Sequence, residues 1–265
     1  MLPPPDETLL DAVAAEFASA QRILFITGAG VSAESGLPTY RGVGGLYNDS
    51  DTEDGVPVEM ALAGQMLQAK PEVCWKYLLQ VGSACARAKP NRAHELIAAF
   101  ETHFPHVCVL TQNIDGYHRD AGSRNVIEIH GNNRMLFCMD GCGHRESALP
   151  YDAARYQDLP PRCPRCDGVL RPDVVLFGEM LPEDAVAHLY EELSQPFDIT
   201  FAVGTTAVFP YIAQPILLAV QEGRFAVEIN PSPTDLSDLV THRFDSGAAA
   251  TLEGLWKRCR QRGLT

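Results

Sequence analysis

The sequence predicts an α/β protein built on a parallel β-sheet. Short apolar runs without charge, such as Ile23–Ile26 and Val107–Leu110, are typical of strands that are buried on both faces of such a sheet. Each run ends in a turn of glycine or polar residues, and segments with helical spacing of apolar residues separate the runs. The chain has 265 residues, of which 46% are hydrophobic, and this is enough for one large domain or a domain with an insertion.

Composition excludes several classes of protein. The net charge of −13 argues against nonspecific binding to nucleic acid or an anionic membrane, because both need a basic face, whereas it suits a basic peptide. The segment Met1–Glu7 has neither the basic nor the apolar region of a signal peptide, and no apolar run approaches the ~18 residues of a membrane span. We therefore expect a cytoplasmic protein without nucleic-acid or membrane partners.

The first elements are a helix and a strand that ends in glycines. Asp6–Ala20 has helical spacing of apolar residues, and Ile23–Thr27 leads into Gly28-Ala29-Gly30. Glycines permit a tight turn, and unpaired N–H groups at such a strand-to-helix turn suit the phosphates of a nucleotide. A glycine turn that serves packing alone is the alternative. A functional loop is favoured by the polar and aromatic residues that follow, namely Ser32, Glu34, Ser35, Tyr40 and Arg41.

The next segment has a loop and then helices. Residues 42–54 are rich first in glycine and then in acidic residues, which is typical of a mobile loop or a plain surface linker. The spacing of apolar residues predicts helices over Val58–Gln68 and Pro71–Ala86. A further helix covers Glu95–Glu101, and we expect His94 to cap or pack on it.

Two more predicted strands end in polar residues. Val107–Thr111 leads into Gln112-Asn113-Ile114-Asp115, and Asn125–Ile129 leads into His130-Gly131. Ligands of open parallel sheets bind at the carboxyl ends of strands, so we expect these side chains to share a site. Turn-forming hydrogen bonds are the alternative role of Asn113 and Asp115. An imidazole suits general-base catalysis because its ordinary pKa is near 6.5.

Four of the eight cysteines form two pairs, Cys138/Cys142 and Cys163/Cys166, with twenty residues between the pairs. This separation predicts a tetrahedral zinc site, which is structural because four protein ligands leave no open position. Two disulfides or free thiols are alternatives, and His144 is an alternative ligand. The other cysteines are expected to be small buried residues.

The C-terminal third repeats the pattern of strand, turn and helix. A β-rich stretch over Arg171–Phe177 precedes a helix over Glu183–Glu192. A strand over Asp198–Val203 opens onto Gly204-Thr205-Thr206, and a helix over Tyr211–Gln221 follows. The remaining elements are a strand over Phe225–Ile229 that ends at Asn230 and a helix over Thr251–Arg262.

Five motifs resemble, in the same order, those of the sirtuins, the NAD-dependent protein lysine deacylases. They are Gly28–Gly42, Thr111–Gly116, His130-Gly131, the cysteine pairs and Gly204-Thr205-Thr206. The resemblance extends from roughly Leu24 to Ala248 and favours a bacterial-type member close to the class that includes desuccinylases. Tyr40 and Tyr117 depart from the family, which usually has Phe and Leu there.

The resemblance implies a doubly wound, Rossmann-like parallel sheet with an inserted small domain made of a zinc-ribbon module and a helical module. The implied NAD-binding domain comprises residues 1–42, 90–130 and 173–265. The helical module with the cofactor loop is 43–89, and the zinc-binding module is 131–172. NAD and an acyl-lysine peptide would meet in the cleft between them.

The resemblance also implies roles for residues. His130, Asn113 and Asp115 would be catalytic. NAD would be bound by Gly28, Ala29, Gly30, Ser32, Glu34, Thr39, Tyr40, Arg41, Gln112, Asn113, Ile114, Asp115, Gly204, Thr205, Thr206, Asn230 and Ala248. Peptide and acyl group would be bound by Tyr77, Gln80, Val174, Val175, Phe177, Gly178 and Glu179, the last five by pairing with the peptide as an added strand.

The implied reaction transfers the acyl group of an acyl-lysine to ADP-ribose and releases nicotinamide, with His130 as general base on a ribose hydroxyl. In sirtuins that remove succinyl and malonyl groups, Tyr-x-x-Arg binds the acyl carboxylate, and the counterpart here is Tyr77-Leu-Leu-Gln80. Glutamine lacks the charged fork of arginine, so we expect acetyl or another neutral acyl group to be preferred over succinyl. Lys76 is an alternative cation, and Thr39 resembles the succinyl-removing subgroup.

Three other functions are alternatives. ADP-ribosyl transfer to protein would use the same cleft. A non-catalytic sensor of NAD or ADP-ribose would not need a base such as His130. A zinc-ribbon nucleic-acid binder is disfavoured by the charge.

Overall fold

The computed structural model of the chain describes residues 2–38, 52–152 and 154–265. Its strands are β1 (Arg22–Thr27), β2 (His106–Thr111), β3 (Val126–Glu128), β4 (Gly131–Cys138), β5 (Arg145–Ser147), β6 (Leu170–Val174), β7 (Ile199–Val203), β8 (Phe225–Ile229) and β9 (His242–Phe244). Its helices are α1 (Glu7–Glu16), α2 (Ala29–Ala33), α3 (Val58–Ala61), α4 (Gly64–Ala69), α5 (Pro71–Arg87), α6 (Arg92–His103), α7 (Tyr117–Asp120), α8 (Glu183–Leu193), α9 (Pro210–Gln221) and α10 (Ala248–Gln261).

Six strands form a parallel sheet in the order β3-β2-β1-β7-β8-β9. β1 lies in the middle, with Thr27 level with Thr111 of β2 on one side and Val203 of β7 on the other. The chain order of the strands reverses between β1 and β7. In doubly wound sheets, dinucleotides bind at this reversal, outside the carboxyl ends of the strands.

Helices cover both faces of this sheet. On one face, α1, α6 and α10 pack against β1 and β7, and Phe25 stacks on Phe201 with 4.9 Å between the ring centroids. On the other face, α8 and α9 pack against Leu24 and Ile26. Residues Ile23 to Ile26 are at most 1% exposed, which explains why this strand has no polar face.

A second, antiparallel sheet has the order β5-β4-β6. It shares a hydrophobic core with α4 and α5, in which Trp75 is fully buried and donates its indole N–H to the carbonyl of Leu170 at 2.8 Å. The helix that carries Tyr77 is thereby attached to the sheet that carries the cysteines.

The structure confirms the predicted fold class, a parallel sheet with a small second sheet and added helices. The single helix predicted over Val58–Gln68 is wrong. Leu62 accepts a hydrogen bond from the amide of Phe177 at 3.1 Å, and the amide of Gly64 donates to the Phe177 carbonyl at 3.0 Å, so the chain divides into α3 and α4. The strand β9 and an earlier start of α10, at Ala248, were not predicted.

No helix among the described residues is long and apolar enough to cross a membrane.

Candidate active site

The two glycine loops at the reversal touch each other. The Gly30 amide donates to the Gly204 carbonyl at 2.8 Å, and the Gly28 amide donates to that of Val203 at 3.2 Å. A Cβ on Gly30 would lie 2.6 Å from the Cα of Gly204, which itself has a φ of +57°. Packing therefore requires glycine at positions 30 and 204. Neither Gly28 nor Gly30 offers an unpaired amide to a phosphate in this conformation.

Ser32, Asn113 and Asp115 form a buried polar cluster at the tips of β1 and β2. The Ser32 hydroxyl donates to Asp115 Oδ2 at 2.8 Å, and Asn113 Nδ2 donates to Ser32 Oγ at 3.2 Å and to the Gly28 carbonyl at 3.0 Å. Each of the three is at most 5% exposed, and burial raises the pKa of Asp115. We call this group the strand-tip cluster.

Two buried histidines support the strand-tip cluster from behind. His94 belongs to a capping box with Asn91 at the start of α6, and its ring lies 4.8 Å from that of His118. His118 Nε2 is 2.9 Å from the hydroxyl of Thr27. Burial lowers the pKa of His94 to about 4, so that it is neutral at pH 7. The expectation that His94 caps its own helix agrees with these contacts.

His130, after β3, has a defined tautomer. Its Nδ1 lies 3.0 Å from the carbonyl oxygen of Gln112, so this nitrogen carries the proton. The Nε2 lone pair then accepts the hydroxyl of Tyr211, 2.7 Å away. Burial lowers the pKa of His130, which keeps the ring neutral and able to accept a proton.

Tyr211 was not predicted as a site residue. It lies in the first turn of α9, where its ring stacks on that of Phe209. The signal in the sequence is an aromatic pair, Phe209-Pro210-Tyr211, shortly after the Gly204 turn. Its contact with His130 depends on how α9 packs against β7 and β8, which spacing alone does not give.

Other predicted cofactor residues join the tips of β2, β7 and β8. Gln112 Nε2 donates to the Thr205 hydroxyl at 2.7 Å, and Asn230 Nδ2 donates to the Thr205 carbonyl at 3.1 Å. Thr206 is exposed beside them. Glu34 lies elsewhere: it accepts the amide of Ala249 at 3.1 Å and so caps α10, whose N-cap Gly247 has no side chain.

A cavity of about 300 Å³ connects the strand-tip cluster with α5. It is lined at one end by Ala29, Ser32, Asn113, Ile114 and Asp115, and at the other by Thr52, Glu53, Tyr77 and Gln80. Its position at the sheet reversal and its polar end fit the nicotinamide half of NAD. Thr39, Tyr40 and Arg41, also predicted to bind NAD, lie outside the described residues.

The predicted peptide strand is already paired in part. The Val175 amide donates to the carbonyl of His130 at 2.9 Å, and Phe177 is bonded to the α3–α4 turn. The carboxylate of Glu179 binds the guanidinium of Arg171, with N–O distances of 2.6 and 2.8 Å. Val174 ends β6 and Gly178 follows in a turn with a φ of +81°. An added strand would therefore have to use groups other than the Phe177 backbone.

The four predicted zinc ligands come together at the ends of β4 and β6. The Sγ atoms of Cys138, Cys142, Cys163 and Cys166 all lie within 4.8 Å of one another. Tetrahedral Zn–S bonds of about 2.3 Å place sulfurs about 3.8 Å apart, so these thiols fit a zinc ion. All eight cysteines are free thiols, and the His144 ring contacts Glu146 at 2.9 Å instead of joining the cluster.

The strand order and the strand-tip cluster define a dinucleotide-binding α/β protein. The chain belongs to the Sir2 family, whose sequence profile matches residues 28–210.

Relatives and solved structures agree with this assignment. The chain is similar to NAD-dependent protein deacylase 2 of Pseudomonas aeruginosa, with 54% identity over 86% of this chain and 88% of that protein. It is 36% identical to the NAD-dependent protein deacylase of Aquifex aeolicus, over 91% and 96% of the two chains. The structure resembles a Sir2 homologue–NAD complex, with a TM-score of 0.82, 34% identity and coverage of 98% and 95%. It also resembles a Sir2–p53 peptide–NAD+ complex, with a TM-score of 0.79, 26% identity and coverage of 96% and 98%.

Proposed function

We propose that this protein is an NAD-dependent protein deacylase that transfers the acyl group of an acyl-lysine to ADP-ribose and releases nicotinamide. The observation that carries the proposal is the neutral imidazole of His130, with its Nε2 lone pair unprotonated, at the same edge of the sheet as the strand-tip cluster. Membership of the Sir2 family and the names of the relatives support it, and they favour neither an ADP-ribosyltransferase nor a sensor.

In this proposal NAD supplies the ribose carbon that accepts the acyl oxygen, with nicotinamide as leaving group. Nε2 of His130 removes the proton of a ribose hydroxyl, and the carbonyl of Gln112 stabilises the charged ring because it accepts a hydrogen bond from Nδ1–H. The hydroxyl of Tyr211 occupies Nε2 in the free protein, so the substrate hydroxyl must replace it.

The strand-tip cluster would bind the nicotinamide and its ribose. Asn113 is held by the Gly28 carbonyl and by Ser32, so its amide is oriented before the ligand arrives. Asp115 would accept or donate at the same end of the cavity, and Gln112 would order ribose hydroxyls. Gly204, Thr205, Thr206, Asn230 and Ala248 are proposed for the adenosine half, whereas Glu34 acts as a helix cap.

Two further assignments belong to the proposal. The four cysteines hold one structural zinc, which stabilises the β4–β6 sheet and takes no part in the reaction. The protein substrate is an acyl-lysine peptide, as the peptide complex of a Sir2 relative suggests. The cytoplasmic location remains a prediction from the sequence.

The test is nicotinamide release from NAD with and without an acetyl-lysine peptide. We expect release only with the peptide. In His130→Ala the steady-state rate of release should fall about 10²- to 10⁴-fold, the usual contribution of a general base, because turnover then stops at the step that needs the base. His103→Ala, an exposed histidine on α6, is the matched control and should be unaffected. Equal release without peptide, or full activity of His130→Ala, would contradict the proposal.

A further inference from the structure

The end of the cavity farthest from the strand-tip cluster has an unusual balance of charge. Between the two ends, the walls are apolar and include Val58, Leu62, Val81 and Ala84. Among the lining residues that the structure describes, there are two carboxylates, of Glu53 and Asp115, and no lysine or arginine. A ligand that extends from the strand-tip cluster toward α5 therefore meets apolar surface and then negative charge.

At this end, the carboxylate of Asp54, next to Glu53, accepts hydrogen bonds from two polar side chains of α5. The hydroxyl of Tyr77 donates to Asp54 Oδ2 at 2.5 Å, and Lys76 Nζ donates to the same oxygen at 2.9 Å. Lys76 also contacts a carboxylate oxygen of Glu53 at 3.0 Å. The Tyr77 hydroxyl is therefore bound by Asp54, and the Lys76 ammonium is bound by both Asp54 and Glu53.

The charge states of these groups are fixed at neutral pH. The hydrogen bond from Tyr77, and then that from Lys76, lowers the pKa of Asp54, so it is ionised. The bonds to Asp54 and Glu53 raise the pKa of Lys76, so it stays charged. The carboxylate of an acidic acyl group would therefore meet a cation that is already neutralised and the two negative charges of Asp54 and Glu53.

We propose that Asp54 is a specificity-determining residue that excludes acyl groups with a terminal carboxylate and so limits the substrate to neutral, apolar acyl groups. This inference rests on the proposed deacylase function and assigns the substrate class of the same site. Gln80 alone would leave an acidic acyl group unpaired, whereas Asp54 also removes its two other partners, the Tyr77 hydroxyl and the Lys76 ammonium. The structure thereby answers whether Lys76 could replace the missing arginine: it is bound to Asp54 and Glu53.

The experiment compares two peptides that differ only in the acyl group, acetyl or succinyl. Both kcat/KM and Kd without NAD are measured for the wild type and Asp54→Asn, which keeps the shape of the side chain and removes its charge. We expect the wild type to prefer the acetyl-peptide. In Asp54→Asn the succinyl-to-acetyl ratio should rise about 5- to 10-fold, and less at high salt, because the side chain is partly exposed.

Glu72→Gln is the matched control because it removes one negative charge from an exposed position on the first turn of the same helix. Its ratio should stay within about twofold of the wild type. Asp54→Asn with Gln80→Arg adds a cation and should raise the ratio further. A thermal melt of each variant confirms that it folds.

An unchanged ratio in Asp54→Asn, or an equal rise in Glu72→Gln, would overturn the inference. If the wild type releases no nicotinamide with either peptide, the proposed deacylase function fails, and the ratio of the two Kd values still decides the role of Asp54.

Discussion

The two ends of the cavity are built by different means. At the strand-tip cluster, Ser32, Asn113 and Asp115 are at most 5% exposed and bonded to one another. At the α5 end, the side chains of Asp54 and Lys76 are each 34% exposed, and Asp54 lies on a loop. Strand tips in a buried sheet hold the first end in one geometry. At the second end, partly exposed side chains are proposed to select the acyl group, and substitutions there disturb the core least.

Removal of zinc should have the largest effect on the difference between the two ends of the cavity. The β4–β6 sheet shares its core with α5, so loss of the metal is expected to disorder the α5 end and abolish activity. A chelator followed by circular dichroism melts and activity assays, with zinc added back as control, measures the effect. A metal-free protein with an unchanged melting midpoint and full turnover would contradict it.

The second largest effect is expected from a fall in pH, which should lower the free energy of unfolding through His94, beside the strand-tip cluster. The pKa of His94 is lowered from its ordinary 6.5 to about 4 by burial, so the unfolded chain binds a proton that the folded chain excludes. The contribution of His94 to the free energy of unfolding is then complete above about pH 6.5 and is lost as the pH drops toward 4, by on the order of 3 kcal/mol.

Urea unfolding at pH 7 and pH 5 tests this dependence, with His94→Asn as the comparison. The variant should show a smaller difference between the two pH values than the wild type. Identical differences in both proteins would rule out His94 as the cause.

A smaller effect is expected from Ser32→Ala. The change removes the donor to Asp115 and the acceptor of Asn113, and leaves buried polar atoms without a partner, at a cost of about 1–3 kcal/mol. The Kd of ADP-ribose should rise as Asn113 loses its orientation. Isothermal titration calorimetry and urea melts measure both, with exposed Ser19→Ala as control; an unaltered Kd and stability would argue against a tightly constrained cluster.

The smallest change is expected from Lys76→Met at the α5 end. Its ion pairs with Glu53 and Asp54 are exposed to solvent and screened, so the free energy of unfolding should change less than in Ser32→Ala. If Lys76→Met lowered the free energy of unfolding as much as Ser32→Ala does, the α5 end would be held as tightly as the strand-tip cluster, which would contradict the account.

The sequence predicts the strand-tip end well because its signals are local. Charge-free runs identify the strands, and the residue after each run must lie at the carboxyl edge of a parallel sheet. This rule predicts that Asn113, Asp115 and His130 lie at the same edge, whereas the roles proposed for them come from the resemblance to the sirtuins. The cysteine cluster is predicted equally well, because two pairs at a fixed separation can surround one metal ion.

The remaining features depend on packing that spacing does not report. The amides of Gly28 and Gly30 are occupied because the turn after β7 folds against them, which no local pattern reveals. Tyr211 contacts His130 only once α9 has packed against β7 and β8. Asp54 lies in an acidic stretch that reads as a plain solvated loop, and its importance comes from the side chains of α5.

Mass spectrometry of the products tests the central claim, that the strand-tip cluster and His130 form a deacylase, most directly. With NAD and an acetyl-lysine peptide, we predict equal amounts of free nicotinamide, deacetylated peptide and O-acetyl-ADP-ribose. Peptide that keeps its acetyl group and gains ADP-ribose, or NAD that remains intact, would contradict the account.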